Sequence, residues 1–111
     1  MFHHRITTLT ALILALIGLS ACGPKAALVN GRIAEARTAI EQAREAGADE
    51  HAESLMLYAE DLLDQAESAT ARGDTQQGLL SADLAIEKAN AARDKAMEET
   101  APPAAGEPAG Q

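Results

Sequence analysis

Aromatic residues are almost absent from this chain. Its 111 residues include one Phe, one Tyr and no Trp. Aromatic side chains bury the largest areas in most cores, so any core here must be built from small side chains. Cysteine occurs once, which excludes an intrachain disulfide. Basic residues are few: nine Lys and Arg stand against seventeen Asp and Glu, a net charge of −8. Nucleic-acid affinity depends on Lys and Arg neutralising phosphates, so no nucleic-acid partner is expected. An acidic chain is equally unsuited to lying flat on an anionic membrane. No apolar run reaches the roughly 20 residues that a spanning helix needs. A glycine-rich phosphate loop is missing as well, because Gly73 and Gly78 are isolated.

The start of the chain is what it does have. Met1 to Arg5 is a short basic tip, with His3 and His4 beside Arg5. Ile6 to Ile17 is apolar, dominated by Leu9, Leu12, Ile13, Leu14, Leu16 and Ile17, and Gly18 to Ala21 is small and flexible. This order matches a secretory signal. With Leu19-Ser20-Ala21-Cys22 at its end, it is similar to a bacterial lipoprotein signal, Cys22 standing at the lipobox position. The resemblance implies lipidation of Cys22: a diacylglyceryl group on its thiol, cleavage before it, and acylation of the new amine. Residues 1–21 are then the signal peptide and residues 22–27 a lipidated anchor and short linker. Gly23-Pro24 reads as an extended exit from the membrane surface. Asp after the cysteine tends to keep lipoproteins of two-membrane bacteria on the inner membrane. Gly23 in that place favours the periplasmic face of the outer membrane. Cleavage removes Arg5 and no acid, so the net charge moves from −8 to −9. Each buried CH₂ of an acyl chain contributes about 0.8 kcal/mol, so three chains make a permanent anchor.

Alanine dominates the rest, and three segments have helical periodicity. Val29, Ile33, Ala36, Ile40 and Ala43 recur at spacings of four and three. Ala52, Leu55, Ala59, Leu62, Ala66 and Ala69 do the same, and so do Leu79, Ala82, Ile86 and Ala89, with Ala96 one heptad later. Such spacing puts apolar groups on one stripe of a helix. Arg93 falls on the third stripe and must break it or snorkel from its edge. Gly47 and Gly73 are suited to the left-handed conformation that ends a helix. Asp49 is placed to cap the second helix, and Asp74 with Gln77 forms a variant capping box for the third. Asn30-Gly31 is a turn signal that moves the expected start of the first helix towards Gly31. Both connections are short, so successive helices should run antiparallel. The expected fold is all-α, an antiparallel helical hairpin or slim three-helix bundle over residues 28–99. Met56, Leu63, Leu80 and Leu84 lie beside the stripes and are expected to complete the core. Residues 100–111, with Pro102, Pro103 and Pro108, read as a disordered tail.

The mature chain offers little chemistry. His51 is its only histidine, with Asp49, Glu50 and Glu53 around it. A metal site needs several convergent ligands, whereas acids at a helix start are explained by the helix dipole. Glu60, Asp61 and Asp64 read as a solvated face. Ser54, Ser68 and Ser81 have no histidine base at a suggestive spacing. No catalytic residue, cofactor site or metal site is expected, and the chain is not read as an enzyme.

The run from Ile33 to Ala43, the Gly47-Ala48 break, Leu55-x₃-Ala59-x₂-Leu62, the Gly73-Asp74 break and Ala82-x₂-Ala85-Ile86-x₂-Ala89 together resemble a family of small alanine-rich helical domains in bacterial envelope lipoproteins. Members often precede a peptidoglycan-binding domain similar to outer-membrane protein A. The resemblance implies a structural or protein-interaction role in the envelope, through a protein partner or self-association. Gly73, Asp74, Gly78, Ala82 and Ala85 also resemble the second helix of a tetratricopeptide repeat, which would make the chain a single-repeat adaptor. A small-ligand or cation binder centred on His51 is the alternative from another class.

Overall fold

The computed structural model describes residues 24–102 of the chain. The signal segment, Cys22, Gly23 and the tail from residue 103 lie outside them. Three long helices and one single turn are arranged in the order α1 (Pro24–Glu45), α2 (Ala48–His51), α3 (Glu53–Ala71) and α4 (Thr75–Thr100). They pack together as an all-α bundle in which α3 runs antiparallel to its two long neighbours. Pairings along the core show this. Val29 and Ile33 meet Ala66 and Ala82 at one end. Ala36 meets Leu62 and Ala85 in the middle, and Ile40 and Ala43 meet Met56, Ala92 and Ala96 at the other end.

Helix α1 starts earlier than the Asn30-Gly31 signal predicts. Pro24 occupies the first helical position, where its missing N–H costs nothing and its fixed φ is already helical. Residues 24–27, expected as linker, are therefore helical. Gly31 continues the helix at a cost of about 1 kcal/mol, and burial of Val29 and Ile33 on the same helix offsets it. All five residues of the first expected stripe are buried, and Ala39 joins them.

Both glycine breaks adopt the left-handed conformation, Gly47 at φ 89° and Gly73 at φ 81°. After α3 the Asp74 N–H reaches Ala69 O at 2.9 Å and the Gly73 N–H reaches Thr70 O at 3.0 Å. This pair of bonds is the Schellman arrangement that left-handed glycine permits. Asp74 then caps α4, its Oδ1 accepting from Gln77 N at 3.1 Å. Gln77 does not reciprocate. Its Nε2 donates instead to Ser81 Oγ at 3.0 Å. The Asp49 cap does not form either. Gly47 holds the N-cap position of α2, α3 starts from Ala52 with no side-chain cap, and Asp49 turns back to Arg44. The single turn of α2 buries Ala48, and Ala52 is buried beside it. This closes the end of the bundle against Ala92 and Ala96.

Thirteen of the eighteen buried apolar residues are alanine, so the helices approach closely but bury little area each. Helix α4 packs along both α1 and α3, which meet each other over a shorter seam. Its buried arc is Gly78, Ser81, Ala82, Ala85, Ala89, Ala92 and Ala96. Leu79 and Ile86, expected as its main knobs, are only partly buried. A helix gripped by two neighbours turns its smallest residues to the closest approach, and the larger ones wrap round the sides. Of the residues expected to complete the core, Met56 is buried at 1 % exposure. Leu63 and Leu84 pack partly against the core, and Leu80 is left 54 % exposed. Leu80 stands opposite the Ala82–Ala85 arc of a helix already covered on its other side, so no neighbour remains to cover it.

Candidate functional surface

Cys22, the expected lipidation residue, precedes the described residues. Helix α1 begins two residues further along the chain, at Pro24.

The acidic group around His51 is not brought together as a ligand set. His51 is half-buried, and its Nδ1 lies 3.2 Å from Glu99 Oε2, near the end of α4. Asp49 accepts from Arg44 Nε at 3.1 Å, while Glu50 and Glu53 are exposed. Among the described residues, no three His, Cys, Asp or Glu side chains stand together as metal ligands. Ser81 is buried and bonded to Gln77, whereas Ser54 and Ser68 are exposed on α3.

The geometry does assemble two ladders of polar pairs that sequence reasoning misses. Between α1 and α3, Arg37 pairs with Glu67 at 2.7 Å and Arg44 with Glu60 at 2.6 Å. The steps are seven residues on each helix and run in opposite directions, as an antiparallel pair requires. Between α1 and α4, Arg32 pairs with Asp83, and Arg93 Nη1 donates to Gln42 Oε1 at 3.1 Å. Both of these pairs are 51 residues apart in sequence, as parallel helices in one register require. Arg93 thus sits at the edge of the alanine arc with its head turned to α1. Arginine and glutamate at heptad spacing on neighbouring helices was the available signal, hidden among many acids.

Arg44 is the most heavily engaged cation. It meets Glu41 at 2.9 Å and Asp49 at 3.1 Å as well as Glu60. Burial works against its charge, but the carboxylates of Asp49, Glu41 and Glu60 outweigh that and raise its pKa. Arg32 is also raised, by its hydrogen bonds to Asp83 and Glu35. Neither shift changes ionisation near neutrality, since arginine is already fully charged. Beside the first ladder runs an open groove between α1 and α3, lined by Ile33, Ile40, Leu63, Arg37 and Arg44. Its guanidiniums are already neutralised by carboxylates, and it presents no nucleophile and base in reach of each other. On α3, the Tyr58 ring lies 5.7 Å from Lys88 Nζ, a cation–π contact at the surface.

The model of one protein family, described as a domain of unknown function (DUF4398), matches residues 31–107. The chain belongs to that family. Its match takes in most of α1 and all of α2, α3 and α4. No curated protein and no solved structure matches the chain.

Proposed function

We propose that the protein is a lipoprotein of the bacterial envelope, anchored through Cys22 to the periplasmic face of the outer membrane, with a structural or protein-interaction role. The observation that carries this reading is Leu19-Ser20-Ala21-Cys22, placed after a basic tip and a short apolar run. Gly23 after the cysteine supports the outer membrane as destination. The bundle fits such a role: its interior is filled by alanine, and its charged pairs are spent on holding helices together. Its outer faces are what remain for a partner.

Metabolic labelling with a fatty-acid analogue tests the anchor. The chain should be labelled and should sediment with the outer-membrane fraction, and Cys22→Ala should be neither labelled nor cleaved. Normal labelling of that variant would overturn the reading, and so would recovery of the native chain in the soluble fraction.

A further inference from the structure

We propose that the end of the bundle that begins at Pro24 is a membrane-seating surface, on which the anchored protein stands upright and points its acidic end away from the lipid. The inference rests on lipidation of Cys22. Helix α1 starts at Pro24, so only Gly23 separates the anchor residue from a rigid element. The end of the bundle that includes Pro24 must then lie at the headgroups.

Two features of that end suit a lipid surface. The first is a pair of exposed leucines, although the far half also exposes Leu57, Tyr58 and Met97. Leu28 is 56 % exposed and Leu80 54 % exposed. The 51-residue offset between α1 and α4 puts them at nearly one level. Leu28 is four residues into α1 and Leu80 five into α4, which is about 6–8 Å of helical rise. Apolar groups of surface-bound helices enter the headgroup boundary to a similar depth, about 5–10 Å.

The second is charge. Lys25, Arg32 and Arg72 stand at this end against Glu35, Asp74 and Asp83, so it is close to neutral. Lys25 and Arg72 are exposed and are free to meet anionic phosphates. The acid excess of the described residues lies beyond this level, where anionic headgroups repel it. An upright posture satisfies both halves; a bundle lying on its side would press the acidic half onto the lipid. Upright, α4 carries Thr100 and the start of the tail about 40 Å from the membrane, the length of its 26 residues.

Because lipid occupies the natural thiol, a single added cysteine can be spin-labelled selectively. Acylated protein carrying Leu80→Cys or Leu57→Cys is placed in phosphatidylethanolamine–phosphatidylglycerol vesicles. Collision with a water-soluble nickel chelate is then measured. Leu57 is a matched control, since it is 59 % exposed but lies in the acidic half. The label at position 80 should collide with the chelate several-fold less often than the label at 57. Equal accessibility, or stronger protection at 57, overturns the upright posture. The intact mass of the same samples separates the two failures. Missing acyl mass removes the anchor and this inference with it; acylated protein with equal accessibility removes this inference alone.

Discussion

Gly78 and Val29 are in such close apposition that a Cβ on Gly78 would stand 3.0 Å from Val29 Cγ2. The same Cβ would meet Thr70 Oγ1 at 2.6 Å, and that hydroxyl is held by its own bond to Ala66 O at 2.7 Å. Here the backbone of α4 is pressed into the angle between α1 and α3. Alanine seams alone would tolerate a slip of one heptad, because Ala82, Ala85, Ala89, Ala92 and Ala96 recur at spacings of three and four. Gly78 fits in only one register, so it and the ladder between α1 and α4 fix the position of α4.

Opposite effects are expected at two helical glycines. Gly31 has no atom within 4 Å of an added Cβ, so Gly31→Ala should stabilise the bundle by about 0.5–1 kcal/mol through helix propensity. Gly78→Ala gains the same propensity but overpacks the junction, at a cost of about 1–3 kcal/mol. It should be neutral to destabilising, and Thr70→Ala in the same chain should recover part of the loss. Denaturant melts of the four chains decide the matter. Equal stabilisation by both glycine replacements would contradict the close approach.

Large side chains are scarce in this core, so each matters. Met56→Ala and Leu62→Ala each remove one of the few bulky buried groups and should cost about 2–5 kcal/mol. A loss of that size approaches the whole stability of a small domain. Leu80→Ala, at an exposed position, should stay within about 0.5 kcal/mol. Thermal melts monitored by circular dichroism measure all three.

Arg44 and Arg37 make similar contacts across the same helix pair but should differ in cost. Arg37→Ala removes one exposed pair and should lose less than about 1 kcal/mol. Arg44→Ala also leaves Glu41, Asp49 and Glu60 facing one another uncompensated, so its loss should be the larger. At 1 M salt, where the screening length falls to about 3 Å, the difference should shrink. Urea melts at low and high salt measure it. A larger cost at Arg37 would show that the three-carboxylate cluster is not strained by losing its cation.

The helical stripes were legible because burial in α1 and α3 tracks the 3-4 spacing almost residue for residue. The breaks at Gly47 and Gly73 were legible because left-handed backbone leaves few other choices. Asn30-Gly31 misled, since a turn signal inside a helix is overridden when the flanking Val29 and Ile33 are buried. Asp49 misled because a nearby arginine competed for its carboxylate. In α4 the periodicity pointed to Leu79 and Ile86. Which arc faces inward was decided by a fact that no single stripe contains, namely that this helix has neighbours on two sides. The anchor motif is the reverse case: Cys22 is legible in the sequence and lies outside the described residues.

The intact mass of the protein extracted from membranes tests the anchor most directly. The mature chain should begin at Cys22 and carry the added mass of a diacylglyceryl group and one further acyl chain. An unmodified Cys22, or a chain that begins elsewhere, would contradict the lipoprotein reading.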